Sequence, residues 1–206
     1  MNNLNDLVLA SEGAAALREA YLPIAIRWEG ELVTMYRDTL GNATVADGLL
    51  LPSMASALVL PFQVPVVNAP ARAATADEIA NEYDRVMGMP KGLVASHYAN
   101  ANSPRLSIAE CTNLLRPVVD SRIAELTRLV IRFASLSLAW RLALLDMAYN
   151  LGTHGLLIKF PHLMLGVEAG SSPECMAQCN RPQLPDARNN WTRTQFGTSC
   201  GLGRLA

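Results

Sequence analysis

The sequence has no excess of basic residues and no long uninterrupted hydrophobic run. Seventeen lysines and arginines stand against eighteen acidic residues, for a formal net charge of −1. Proteins that bind nucleic acids or anionic membranes normally carry a basic stripe, so we expect neither kind of partner. The two longest apolar stretches, residues 49–65 and 129–151, are broken by prolines in the first and by charged residues in the second. We therefore expect no insertion into a membrane.

The N-terminal residues also lack the features of a secretory signal. Residues 1–6 contain neither the basic nor the apolar region that such a signal needs. We therefore expect synthesis in the cytoplasm, and any action outside it requires another export route.

Cysteines and histidines are few and do not have the spacing of a zinc site. The four cysteines are not arranged in paired short repeats, and the three histidines supply no partner at ligand spacing. We predict no metal and no cofactor. Cys175 and Cys179 lie one helical turn apart, which favours neighbouring thiols over a disulfide, and Cys200 could pair with either. Buried or idle thiols are the favoured interpretation.

The sequence is typical of a folded chain that is mostly helical. Half of its 206 residues are hydrophobic and 17% are charged, enough for one well-buried domain or two small lobes that share a core. The spacing of apolar residues predicts an α+β fold, mostly α, with one small β-hairpin near the N-terminus. Predicted helices cover about residues 11–28, 75–87, 107–126, 136–151, 159–168, 173–179 and 185–196.

Two details of this prediction concern proline. Pro23 should kink the first helix or divide it into two pieces. The proline-rich residues 49–74 are predicted to form an ordered but irregular crossing.

Strands are predicted at 32–37 and 43–45, joined by a turn around Gly41 and Asn42.

Two carboxylates and a hydroxyl flank this hairpin. Glu29 stands where the first helix should end, and Asp38 and Thr44 lie on either side of the turn. Such a set can cleave a glycosidic bond, because one carboxyl protonates the leaving oxygen while the other polarises a water that the hydroxyl positions. In the simpler alternative, Glu29 is a surface residue and the Asp38–Thr44 pair caps a turn.

Several segments occur around these residues in a characteristic order. They are Trp28-Glu29-Gly30, Tyr36-Arg37-Asp38-Thr39, Gly41-Asn42-Ala43-Thr44-Val45, the helix from Ser107 to Leu126, the aromatic-Asn-x-Gly end of Leu144–Gly152, and residues 180–193. Together they resemble the phage-type lysozymes, a muramidase family of endolysins and some secreted antibacterial effectors. The likeness covers about residues 24–196 and is weakest over 52–102.

The resemblance implies a fold and an activity. Residues 1–206 would form a single lysozyme-like domain, in which a small hairpin lobe and a larger helical lobe are joined by a long helix. Residues 1–22 would be an N-terminal helical extension, and 52–102 a divergent crossing segment. The implied reaction is hydrolysis of the β-1,4 bond between N-acetylmuramic acid and N-acetylglucosamine in peptidoglycan, with a bacteriolytic result.

The resemblance also implies a role for each site residue. Glu29 would be the general acid, with a pKa raised by apolar neighbours such as Trp28. Asp38 would stabilise developing positive charge and, with Thr44, hold the attacking water. The residues expected to line the substrate cleft are Tyr36, Asn150 and Gly152. Arg181 and Arg188 could contact acidic groups of the wall or face solvent.

One stretch departs from the family pattern. After its threonine the family usually carries Gly-x-Gly-His, whereas this chain has Ala46, Asp47, Gly48 and Leu49. Ala46 matters if its position needs a positive φ, and Asp47 adds an acid near Asp38. Either the site is retuned or activity is lost.

Three functions therefore stay open: an active muramidase, a lysozyme-fold binding protein without activity, and a lytic transglycosylase that needs only the glutamate. The expected partners are peptidoglycan glycan strands, and beyond them an immunity protein or secretion machinery. Release to the periplasm or cell wall would depend on a phage holin or on a secretion system.

Overall fold

The computed structural model describes residues 4–29, 32–46 and 48–201, and the side chains of residues 4–12 and 29 lie outside that description. Within these ranges the protein is α+β and mostly α, which confirms the predicted class. The helices are α1 Leu4–Glu29, α2 Met54–Leu58, α3 Ala76–Gly88, α4 Ile108–Leu129, α5 Leu138–Leu151, α6 Thr153–Lys159, α7 Pro161–Ala169, α8 Ser172–Gln178 and α9 Asp186–Phe196. The strands are β1 Tyr36–Arg37, β2 Ala43–Val45, β3 Leu49–Leu50, β4 Gln63–Val66 and β5 Ala69–Ala73.

The chain forms two compact units. The hairpin unit is Glu29–Leu115, and the helical unit combines Met1–Trp28 with Arg116–Ala206. No helix among the described residues is both long enough and apolar enough to cross a membrane.

Two small antiparallel sheets belong to the hairpin unit. The first has the strand order β1-β2-β3, with Tyr36 opposite Thr44 and Thr44 opposite Leu50. The strand predicted over 32–37 is paired only at Tyr36–Arg37, preceded by an isolated bridge at Thr34. The unit's core is apolar and includes Met35, Val45, Leu51, Phe62, Val86 and Tyr98.

The prediction that residues 49–74 form an irregular crossing is wrong. This segment contains β3, the short helix α2 and the β4–β5 hairpin. Its prolines fit the second hairpin because the ladder is irregular between Val64 and Val66, on either side of Pro65. A bulge is one of the few positions in a sheet that tolerates proline. Asn68, in the two-residue loop, takes the positive φ of 58° that asparagine accepts more readily than most residues.

The helical unit is built around α5. Its residues are buried almost all round, as predicted, with Trp140, Leu144, Leu145 and Met147 fully enclosed. Gly152 ends this helix at a φ of 73°, also as predicted.

The structure refines the prediction at two prolines, Pro23 in α1 and Pro161 at the start of α7. A single helix α1 passes through Pro23, so the chain is not divided there. Buried residues on both sides of Pro23, such as Tyr21 and Ala25, explain how packing sustains the helix despite its lost hydrogen bond. The helix predicted over about 159–168 corresponds to α7, which begins at Pro161. The helix before it, α6, was not predicted, and Phe160 separates the two.

Candidate functional site

Asp38 is the first residue of the turn in the β1–β2 hairpin (residues 38–42). Groups of this turn donate hydrogen bonds to the Asp38 carboxylate. The Asp38 N–H donates to the Asn42 carbonyl at 2.9 Å, and the Gly41 N–H donates to the Asp38 carbonyl at 3.1 Å. Thr39 and Leu40 therefore occupy the centre of the turn, two residues before the predicted position. Gly41 follows at a φ of 100°, which only glycine adopts without strain.

The Asp38 carboxylate accepts three hydrogen bonds within this turn. The N–H groups of Gly41 and Asn42 each donate to Oδ1 at 2.7 Å, and the Asn42 amide donates to Oδ2 at 3.2 Å. Partial desolvation acts to raise the pKa of Asp38, but the hydrogen bonds from Asn42 and Gly41, with a smaller contribution from the Leu40 backbone, outweigh it and lower the pKa below its ordinary value. The carboxyl is therefore fully ionised at neutral pH.

Asp38, Thr44 and Tyr36 share one face of the hairpin. Tyr36 pairs with Thr44, and Asp38 pairs with Asn42 by extending the same ladder. Side chains of directly opposed residues, and of residues two apart on a strand, lie on one face. Diagonal neighbours on one face, as Asp38 and Thr44 are, generally lie about 7–8 Å apart, with their Cβ atoms somewhat closer. The structure thus brings together three of the predicted site residues.

Thr44 is almost completely buried, which limits the access of a water to its hydroxyl. Only 3% of it is exposed, and its hydroxyl donates to the Asn42 carbonyl at 3.3 Å. A hydroxyl that donates one hydrogen bond keeps two acceptor lone pairs. Thr44 can therefore still accept a hydrogen bond from a water that reaches its hydroxyl.

Glu29 is the last residue of α1, as the sequence predicts for the end of the first helix. Its side chain lies outside the described residues, as do Gly30 and Asp47 in full. The predicted convergence of Glu29 with Asp38 and Thr44 stays a prediction for that reason.

The segment that follows Thr44 has an unusual backbone conformation at Ala46. Ala46 takes a φ of 50°, a left-handed conformation that costs an ordinary residue roughly 1 kcal/mol or more. Its methyl group is buried in the core of the hairpin unit, which offsets part of that cost at about 0.8 kcal/mol per buried carbon. Leu49 packs against the same core. Ala46 and Leu49 are thus accommodated as part of the core of the hairpin unit.

Asn150 and Gly152 lie at the C-terminal end of α5 in the helical unit. The Asn150 Oδ1 atom is buried and has no hydrogen-bond partner among the described residues. A Cβ at Gly152 would meet no atom within 4 Å, so its φ, rather than close packing, requires glycine there.

Arg181 and Arg188 are not surface residues, which corrects both of the roles considered from sequence. Arg181 Nη2 donates to Asp146 Oδ2 at 2.7 Å, and Arg188 Nη2 donates to Asp146 Oδ1 at 2.8 Å. Tyr21 donates to the same carboxylate at 3.3 Å. Asp146 and Arg181 are both fully buried. Sequence reasoning missed this cluster because Asp146 had been assigned only to an apolar helix.

The four cysteines are free thiols, and the burial predicted for them is confirmed at Cys111, Cys175 and Cys179. Burial is also the main reason that the pKa of Cys175 is raised to about 12. Among the described residues, no three His, Cys, Asp or Glu side chains are grouped as metal ligands would be.

Comparison with known proteins adds no family to these observations. Neither a scan against models of protein families nor a search of curated proteins finds a match to this chain. The likeness to phage-type lysozymes stays a prediction from the motifs.

Proposed function

We propose that this protein is a peptidoglycan hydrolase of the muramidase type, which cleaves the β-1,4 bond between N-acetylmuramic acid and N-acetylglucosamine. Glu29 is the general acid in this proposal. Asp38 is the anionic carboxylate on the other side of the bond, and Thr44 helps it to hold the water.

The observation that carries the proposal is the way the hairpin turn holds Asp38. Three hydrogen bonds fix its carboxylate, and its lowered pKa keeps it charged. A glycosidase needs one carboxyl that stays ionised and another that stays protonated. A fixed anion also stabilises the positive charge that develops on the sugar in the transition state, without reorganising during the reaction.

The chemistry assigns the proton and the water to different residues. Glu29 protonates the oxygen of the leaving sugar while the bond to the anomeric carbon breaks. Asp38 accepts a proton from the attacking water when the carboxyls are about 6.5–9.5 Å apart, and the anomeric configuration inverts. At about 5–5.5 Å, Asp38 would attack directly and the configuration would be retained.

A second candidate function is wall binding without hydrolysis. The enclosure of Thr44 and its donation to Asn42 favour it, because a water must compete for a nearly buried hydroxyl. Packing of Leu49 against the core, where the family usually has a histidine, points the same way. The lytic transglycosylase alternative requires neither Asp38 nor Thr44, so it leaves the arrangement of the turn without a role.

The proposed substrate also sets where the protein acts. Glycan strands lie in the periplasm or cell wall, so the proposed hydrolysis takes place there, and release by a holin or a secretion machine belongs to the same proposal. A secreted effector of this kind would also need an immunity protein in the cell that makes it.

The test is clearing of purified cell walls by the native protein, Glu29→Gln and Asp38→Asn. We expect clearing by the native protein and a loss of about 100-fold or more in each variant. Asp84→Asn, which neutralises an exposed carboxylate on α3 of the same unit, is the matched control and should retain activity. Absence of clearing by the native protein on several wall types would end the proposal, and wall binding unaffected by Glu29→Gln would favour the second candidate.

A further inference from the structure

We propose that Arg37 is a positioning residue for Asp38, which it acts on through the peptide group that joins Gly41 to Asn42. The inference rests on the proposed function for its catalytic meaning, although the contacts and their physical test do not depend on it.

Arg37 lies on β1, one residue before Asp38, so its side chain projects from the opposite face of the hairpin. Its Nε atom donates to the Gly41 carbonyl at 2.9 Å. Its Nη1 atom donates to the carbonyls of Met87 at 3.0 Å and Met89 at 2.8 Å. One guanidinium thus joins the hairpin turn to the C-terminal end of α3.

The Gly41 carbonyl and the Asn42 N–H belong to a single peptide group. The carbonyl accepts from Arg37, and the N–H donates to Asp38 Oδ1 at 2.7 Å. A peptide group is planar, so fixing the direction of its carbonyl also fixes the direction of its N–H. A cationic donor on the carbonyl further polarises the group and strengthens the hydrogen bond that its N–H donates.

The turn needs such an external constraint. Gly41 sits at a φ of 100°, and glycine has more accessible conformations than any other residue. Without Arg37, the peptide group between Gly41 and Asn42 could rotate and remove its N–H from the carboxylate. The three carbonyls therefore make Arg37 a clamp that selects the one orientation suited to Asp38.

The C-terminal end of α3 holds the Arg37 guanidinium in place. The last carbonyls of a helix have no partner within the helix and carry the negative end of its dipole, so they bind a cation well. Met87 lies in the last turn of α3, and Met89 is the residue that caps it. Gly92 continues the contact, since its N–H donates to the Arg37 carbonyl at 3.4 Å. Part of the divergent segment 52–102 thus supports the candidate site.

The test is an NMR titration of the Asp38 carboxyl in the native protein, Arg37→Gln and Arg37→Lys, with Asp38→Asn to assign the signal. We expect Arg37→Gln to raise the pKa of Asp38 by about half a unit or more, since the Asn42 N–H is no longer held in place. Arg37→Lys should give a smaller rise, because one ammonium cannot reproduce the planar fork that reaches both the turn and the helix end.

Arg72→Gln is the matched control, since it removes an arginine of the same unit that pairs with Glu78. It should leave the pKa of Asp38 unchanged. An unchanged pKa in Arg37→Gln would overturn the inference, as would an equal rise in Arg72→Gln. If Arg37→Gln does not fold, Arg37→Lys decides alone, and an unchanged pKa there overturns the inference.

The acidic limb of the pH profile for wall clearing gives a second readout. In Arg37→Gln this limb should shift to higher pH, following the pKa of Asp38. Loss of a purely structural arginine would lower activity equally at every pH. A native protein that clears no walls removes the proposed function, while the titration still tests Arg37.

Discussion

At the residue scale, the candidate site is shaped by the local chemistry of one turn, residues 38–42. Gly41 and Asn42 between two strand-like runs are a recognisable turn signal, and they correctly indicated a hairpin here. The exact centre of the turn was missed by two residues, because Gly41 and Asn42 suit the turn itself as well as the position after it. The contact of Arg37 with Met87 and Met89 had no sequence signal, since 50 and 52 residues separate the partners.

The positive φ of Gly41 predicts the stability effect of a substitution there. A Cβ at Gly41 would be strained at a φ of 100° and would lie 3.4 Å from both Arg37 Nη2 and Lys91 Cδ. We expect Gly41→Ala to lower the free energy of unfolding by about 1–2 kcal/mol. Gly13→Ala is the matched control: it lies within α1, a Cβ there meets nothing within 4 Å, and it should stabilise by about 0.5–1 kcal/mol. Urea unfolding measures both, and effects of the same sign would contradict the account.

At the scale of elements, helices with strong local signals were predicted well. A capping box of Thr75 and Glu78 opens α3, and Ser107 caps the first turn of α4. The β4–β5 hairpin was missed because its prolines argued against strands, and only the pairing partner reveals the bulge that accommodates Pro65. The pairing of a strand depends on residues distant along the chain, so local pattern could not supply it.

The capping box of α3 gives a prediction for stability against pH. Hydrogen bonds from Arg72, then from Thr75, lower the pKa of Glu78 to about 2 from an ordinary value of 4.5. A depressed pKa in the folded state means that the stabilising contribution is present above the ordinary value and is lost as pH falls from about 4.5 to about 2. The stability difference between the native protein and Glu78→Gln should therefore shrink over this window.

Thr75→Ala provides the companion measurement at neutral pH. It removes the acceptor for the Glu78 N–H and should cost about 1 kcal/mol. Chemical denaturation at a series of pH values measures both variants. A difference between the native protein and Glu78→Gln that stays constant from pH 5 to pH 2 would contradict the assignment.

At the scale of the whole molecule, the predicted class was confirmed, while the assembly of the helical unit could not be foreseen. That unit combines the first helix with the second half of the chain. Tyr21 reaches Asp146 across 125 residues, and Asp146 in turn binds Arg181 and Arg188. Nothing in local sequence indicates which charged residues of an apolar helix will be buried, because burial depends on partners that arrive from elsewhere in the chain.

The buried cluster gives the prediction at this scale. Asp146→Asn would leave two buried guanidinium groups without their anion, so we expect a loss of roughly 3–5 kcal/mol in the free energy of unfolding. Asp120→Asn is the matched control, because it breaks the partly exposed pair with Arg18 and should cost less than about 1 kcal/mol. Similar costs for the two variants, measured by urea unfolding, would contradict the structural role given to Asp146.

We propose that Asp38, held by its turn, acts with Glu29 on a single sugar linkage of peptidoglycan. Mass spectrometry of the soluble fragments released from purified walls is the decisive measurement. We expect fragments that end in reducing N-acetylmuramic acid from the native protein, and none from Glu29→Gln or Asp38→Asn. Release of anhydro-sugar fragments that persists in Asp38→Asn, or no saccharide release from any wall type, would contradict it.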